Sequence, residues 1–106
     1  MSLLIEDYQR LSGITGQMRE AAVGGEWERL ISLEQECHRK VEEIKPHDVI
    51  PSNPDERAQK LALLKKILAD DADIRSRTES WMEQLQRIMQ SPRSELRLQQ
   101  TYLANY

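Results

Sequence analysis

Residues 54 to 90 read PDERAQKLALLKKILADDADIRSRTESWMEQLQRIMQ, and nothing after the opening proline interrupts a helical pattern. At 1.5 Å per residue, this stretch predicts a helix of about 55 Å. Asn53 and Pro54 predict its start, because Asn is a favoured N-cap and Pro fits the first helical position. The first apolar patch of this helix contains Leu61, Leu64, Ile67 and Leu68.

Two shorter helices are predicted before it, at about residues 3 to 23 and 26 to 45, each about 30 Å long. Gly24-Gly25 predicts the end of the first helix, and so short a link makes the second helix antiparallel to it. Gly13 and Gly16 lie inside the first helix, and they either weaken it or let a neighbour approach closely. We favour the first interpretation. Residues 46 to 53 contain two of the four prolines and form a connector.

The third helix is longer than its predicted partners, which leaves an apolar stripe on its later half without an obvious cover. The stripe repeats every seventh residue, with two further residues on the same seam. A core tryptophan is the ordinary interpretation of Trp81, but its position past the shorter helices favours an interface anchor. The predicted binding stripe is Ile74, Thr78, Trp81, Leu85 and Ile88.

A short fourth helix is predicted from residue 92 to 106, with Ser91 as its cap and Pro92 at its first position. Its length of about 22 Å is close to the excess length of the third helix. Folded back, it would cover the stripe, and so short a helix is marginal without packing, which makes the cover removable. The covering side chains would be Leu98, Tyr102, Leu103 and Tyr106.

Composition favours one helical domain spanning residues 1 to 106. Charged residues make up 31% of the chain and apolar residues 39%, with a net charge of −3. That balance is too apolar for a disordered chain and lacks the basic face typical of nucleic-acid binding. No apolar run approaches the ~20 residues that span a bilayer. The single cysteine, Cys37, fits a reducing compartment, and we expect a cytoplasmic protein.

Residues with catalytic potential are present, but their spacing indicates no reaction. His38 and His47 have no metal-ligand partner at a useful spacing, and Cys37 lies on an apolar helix face. Asp70, Asp71 and Asp73 form an acidic cluster, for which ion pairing or solvation is favoured over a raised pKa. The candidate ion-pair partners are Lys66, Arg75 and Arg77. We therefore predict no enzyme, no metal and no cofactor.

Three segments resemble the FliT family of flagellar export chaperones. They are GEWE at residues 25 to 28, ILADDADIR at residues 67 to 75 followed by the stretch containing Leu85, and LQQTYLANY at residues 98 to 106. Their order spans nearly the whole chain, and the first helix is the poorest match. The resemblance implies a four-helix cytoplasmic chaperone whose last helix regulates access to the client groove.

The resemblance also implies partners. The client would be the C-terminal segment of the filament-cap protein FliD, held until export. Further expected partners are the export ATPase FliI or its partner FliJ and, in some bacteria, the regulator FlhDC. The alternative from the residues alone is a structural subunit, in which a second copy fills the stripe as a homodimer. A small helical enzyme is a third hypothesis, which would require a convergent polar pocket.

Overall fold

The structure is a computed structural model that describes residues 3 to 89. These residues form α1 (Leu3–Val23), α2 (Trp27–Ile44), a 3-10 helix (Lys45–His47) and α3 (Pro54–Met89), with no strand among them. The all-α prediction is confirmed for this part of the chain. The described residues contain three α-helices, and the predicted fourth helix lies outside them.

A tight turn joins α1 to α2. Gly25 has a φ of 68°, a left-handed conformation that glycine adopts without strain. Its N–H donates to the carbonyl of Ala22 over 3.2 Å, and the N–H of Glu26 donates to that of Ala21 over 2.8 Å. This pair of bonds is a Schellman motif, which satisfies the last carbonyls of α1. Because Glu26 belongs to the motif, α2 begins at Trp27, one residue later than predicted.

The predicted start of α3 is confirmed by its cap. The Oδ1 atom of Asn53 accepts hydrogen bonds from the backbone N–H groups of Asp55 and Glu56, at 2.8 and 3.4 Å. These N–H groups have no partner inside the helix, so the cap stabilises the helix terminus by about 1 kcal/mol.

The chain divides into two compact units, residues 1 to 75 and residues 76 to 106. The first unit contains α1, α2 and α3 as far as Arg75. The described part of the second unit is the continuation of α3 to Met89. The expectation of a single domain stays a prediction.

Two apolar clusters hold the first unit together, and each takes residues from all three helices. One cluster joins the end of α1, the start of α2 and Ile74. The other joins the start of α1, the end of α2 and residues 63 to 67 of α3. The order of these contacts makes α2 antiparallel to α1, as the short link predicted, and makes this part of α3 parallel to α1. Among the described residues, Ile5 of α1 is the largest fully buried side chain, with 0% of its surface exposed.

The first apolar patch of α3 differs from the prediction. Leu64 and Ile67 pack against the second cluster, but Leu61 and Leu68 are 53% and 65% exposed. At about 100° per residue, Leu61 and Leu68 lie about 160° and about 140° around the helix axis from Leu63, so they cannot share its side of α3. The core therefore takes the side centred on Leu63 and Ile67, and the other two leucines lie on the solvent side.

Candidate binding surface on the third helix

The later part of α3 carries large apolar side chains at three- and four-residue spacing. Trp81 and Ile88 are 39% and 53% exposed, Leu85 between them is half-buried, and Met82 beside them is 47% exposed. Helical geometry puts Trp81, Leu85 and Ile88 on one face over about 10 Å of the helix axis. We call these three residues the late stripe. Thr78 precedes them on the same side and is half-buried.

Ile74, the first residue of the predicted stripe, lies elsewhere. Only 8% of its surface is exposed, and it belongs to the cluster formed with α1 and α2. Its neighbours there are Ala21, Ala22, Leu30 and Leu33. Ile74 is therefore a core residue of the first unit, and the accessible part of the stripe begins after it. The predicted covering residues Leu98, Tyr102, Leu103 and Tyr106 lie outside the described residues.

The acidic cluster just before the late stripe is ion-paired, as predicted. Asp71 pairs with Arg75 over 2.9 Å, and Asp73 pairs with Arg19 of α1 over 2.8 Å. Asp70 is buried, accepts a hydrogen bond from the Thr15 hydroxyl at 2.9 Å, and pairs with Lys66 at 2.7 Å. Asp70 and Asp73 therefore fasten α3 to α1.

Two partners of this cluster escaped the sequence analysis, because they lie on α1 and pair across more than 50 positions of sequence. Gly16 was a detectable signal for the approach of Lys66 to α1. A Cβ atom added there would lie 3.1 Å from the Lys66 ammonium, which also donates to the Ser12 carbonyl. Close approach, the interpretation not favoured for Gly16, is the one the structure supports, although a side chain and not a helix backbone approaches. Gly13 has no such neighbour within 4 Å.

A second polar group fixes the other end of the first unit. Asp7 is 7% exposed, and its two carboxylate oxygens contact the Lys40 ammonium and the Nε2 atom of His47, each at 2.9 Å. The hydrogen bonds with His47 and then Lys40 lower the pKa of Asp7 below its ordinary value of 3.8. Sequence reasoning missed this group, although Asp7 stands between the buried Leu4 and Leu11 at helical spacing. His47 has a structural role in this group.

Tyr8 links α1 to the connector. Its hydroxyl donates to Asp48 over 2.9 Å, and the Lys60 ammonium contacts the same carboxylate at 2.8 Å. That ammonium also lies 5.4 Å from the centre of the Tyr8 ring, within range of a cation–π interaction. Burial and the hydrogen bond to Asp48 raise the pKa of Tyr8 to about 12.

No arrangement suited to catalysis is visible in residues 3 to 89. The depression lined by Gly16, Arg19, Glu20, Val23, Lys66 and Asp70 has a volume of about 420 Å³. Its cations already pair with Asp70 and Asp73. Lys40 and Lys60 each have a 13% exposed side chain, and Asp7 and Asp48 neutralise them. The described part of the chain contains no group of three or more His, Cys, Asp or Glu side chains that could hold a metal ion.

Cys37 behaves as a small apolar residue. It is half-buried against the second cluster, and burial is the main cause that raises the pKa of its thiol. A raised pKa disfavours the thiolate, which is the reactive form. None of the described helices is both long and apolar enough to cross a membrane.

Over residues 3 to 89, these features define an all-α protein that is built on ion-paired helices and carries exposed apolar residues on its longest helix. The sequence model of a family described as Flagellar protein FliT matches residues 5 to 104. The chain belongs to the FliT family, which is a chaperone family of flagellum biogenesis. Comparison with curated proteins and with solved structures finds no match.

Proposed function

We propose that the chain is a cytoplasmic export chaperone that holds the C-terminal segment of the filament-cap protein FliD. Family membership implies the flagellar export role and carries the proposal. The late stripe supports the choice of site, because a client helix needs apolar anchors at three- and four-residue spacing. Packing of the client helix against the late stripe would cover the apolar residues of this aggregation-prone segment. The segment would then not assemble before it reaches the export apparatus.

The gating part of the proposal concerns residues 92 to 106. The client and the predicted fourth helix would compete for the same side chains, with Leu98, Tyr102, Leu103 and Tyr106 acting as the internal competitor. Competition lowers the apparent affinity by the fraction of time for which the site is open. The chain would therefore bind its client less tightly than the site alone allows, which permits release at the export gate.

Calorimetric titration tests both parts. The C-terminal segment of FliD is titrated into the full chain and into a version that ends at Gln90. Binding to both, tighter for the shortened chain, supports a gated chaperone. Equal or weaker binding by the shortened chain contradicts gating, and no binding to either contradicts the client. Circular dichroism of the shortened chain checks that its helices persist.

Further partners follow from the family and are part of the same proposal. The export ATPase FliI or its partner FliJ would receive the loaded chaperone, and the regulator FlhDC would be a target in some bacteria. Pull-down of each purified partner with the free and the client-loaded chain would test whether loading changes the choice of partner. Loss of binding in both states would contradict delivery.

The alternative function is a structural subunit that self-associates through the late stripe. The exposure of Trp81 and Ile88 favours this second candidate, because a second copy would cover them equally well. Sedimentation velocity over a dilution series distinguishes the two. An obligate dimer loses helicity or stability as its concentration falls, whereas a monomeric chaperone does not.

A further inference from the structure

The solvent side of α3 within the first unit carries a second apolar seam. Its residues are spaced three and four apart, the spacing of one side of a coiled coil. All five of them are exposed, and the two leucines are 53% and 65% exposed. They are Ala58, Leu61, Lys65, Leu68 and Ala72, and we call them the outer seam.

The outer seam does not belong to the core of the first unit or to the late stripe. The opposite side of the same helix packs against α1 and α2 through Leu63, Leu64, Ile67 and Ile74. The seam extends over about 21 Å of helix axis, which is two heptads. Alanines at both ends let the axis of another helix approach closely, and leucines flank the centre as knobs for its holes.

The charge of the seam is concentrated in one residue. Lys65 stands at its centre, is exposed, and has no ion pair among residues 3 to 89. The acids of α3 nearest to it in sequence are already engaged, Asp70 with Thr15 and Lys66, Asp71 with Arg75, and Asp73 with Arg19. The seam therefore presents a cation without a matching acid.

A cation at one seam position of a coiled coil selects the partner, since an opposing acid is attracted and an opposing base is repelled. Two copies of this chain leave Lys65 without an opposing acid in both orientations. Parallel pairing in register places Lys65 opposite Lys65, and antiparallel pairing, in which an a position packs against a d position, places it against Leu61 or Leu68 of the other copy, where its charge is desolvated without an acid. A helix of another protein with an acid at that position avoids the conflict.

From this arrangement we propose that the outer seam is a second docking surface, which binds an amphipathic helix of another protein with small or branched apolar seam residues and a central Glu or Asp. It lies on a different side of α3 from the core and does not depend on the client proposal. A chain with two such surfaces can hold a client and dock to another component at the same time.

A pair of synthetic peptides of about three heptads tests the surface. Both carry leucine and alanine at the seam positions, and they differ only in a central Glu or a central Lys. We expect the Glu peptide to bind the full chain about tenfold more tightly than the Lys peptide. Amide chemical shifts on binding should change chiefly at residues 58 to 72.

Charge reversal makes the test specific. Lys65→Glu should invert the preference between the two peptides, whereas Arg10→Glu, the same charge change at an exposed position of α1, should leave it unchanged. Leu68→Ser should weaken both peptides and leave FliD binding intact. Circular dichroism shows whether each variant is folded.

Three results of the peptide experiments would overturn the proposal. They are equal affinity for both peptides, no inversion in Lys65→Glu, or shift changes centred outside the outer seam. Sedimentation of the free chain covers the remaining occupant. If the chain is a dimer that Leu68→Ser converts to a monomer, the seam binds a second copy and the proposed partner is wrong.

Discussion

Ile74 and Trp81 stand seven residues apart on α3, and the same heptad pattern predicts both. Ile74 is 8% exposed and packs among Ala21, Ala22, Leu30 and Leu33. Trp81 is 39% exposed although its side chain is larger and has more apolar surface to bury. The heptad pattern specifies the side of the helix, but other helices decide whether that side becomes core or surface.

The difference indicates that the two parts of α3 have different roles, one in stability and one in binding. Residues 54 to 75 of α3 hold the first unit together, and their substitution should appear in stability. Residues 78 to 88 carry the late stripe, and their substitution should appear in binding. The predictions below compare the two stretches, beginning with the largest expected change.

Truncation at the heptad positions gives the largest contrast. Ile74→Ala should lower the free energy of unfolding by about 2–4 kcal/mol, because it leaves a cavity among packed helices. Ile88→Ala removes the same atoms at a 53% exposed position and should cost less than about 1 kcal/mol. Urea unfolding followed by circular dichroism measures both. Equal losses would show that the late stripe is as much a core as Ile74.

The buried acid beside Ile74 gives the next largest effect. Asp70→Ala removes the acceptor of the Thr15 hydroxyl and the ion-pair partner of Lys66, and should cost about 1–3 kcal/mol. Asp73→Ala breaks a solvent-exposed pair with Arg19 and is the matched control, expected to cost under about 1 kcal/mol. A double-mutant cycle between Asp70 and Thr15 would isolate their coupling. Additive losses would mean that this hydrogen bond contributes nothing to the fastening of α3.

Much of the helical structure could be predicted from the sequence, because the signals for helix ends and helix faces are local. Glycines at a helix end, an Asn-Pro start and apolar spacing defined α1, α2 and α3 to within one residue at the described ends. The expectation that the acids of α3 are ion-paired is also confirmed. The helix ends and the pairs of Asp70 with Lys66 and of Asp71 with Arg75 depend on neighbours within about one turn of helix.

What could not be predicted depends on contacts across the fold. The burial of Asp7 and Asp70 requires Lys40, His47 and Thr15, which are distant in sequence. The exposure of Leu61 and Leu68 depends on which side of α3 the other helices choose, and apolar residues occur on both sides. The site residues of the late stripe stay a prediction for the same reason, since the pattern alone did not separate Ile74 from Trp81.

Affinity for the client should depend on the late stripe, whose residues are expected to matter little for stability. Trp81→Ala and Ile88→Ala should each weaken FliD binding by about tenfold, because few anchors dominate such interfaces. Leu68→Ala removes an apolar side chain that is 65% exposed from the same helix and should leave binding unchanged. Calorimetry on folded variants measures each affinity. Equal loss in all three variants would contradict a site restricted to the late stripe.

Low pH should destabilise the first unit through protonation of Asp7. Its pKa in the folded chain lies below the ordinary 3.8, so its contribution to stability is complete above about pH 4 and is lost as the pH falls through the folded value. Trp81→Phe leaves Trp27, which packs on the first cluster, as the only tryptophan to report on this unit. In that background, Asp7→Asn should flatten the acid dependence of unfolding followed by Trp27 fluorescence. An unchanged acid dependence would mean that other carboxylates govern it.

High pH should destabilise the first unit through ionisation of Tyr8, and this is the smallest effect expected. Its pKa of about 12, against an ordinary 10.0, means that the fold favours the neutral phenol. Its contribution is therefore complete below about pH 10 and is lost as the pH rises towards 12. Absorbance titration of the full chain should show one phenol ionising late, and Tyr8→Phe should remove that late step. Asp48→Asn should move the step to lower pH, because the carboxylate beside the phenol disfavours a second negative charge. If the step at high pH survives in Tyr8→Phe, the phenol with the raised pKa belongs to another tyrosine, and the connector is not fastened to α1 through the Tyr8 hydroxyl.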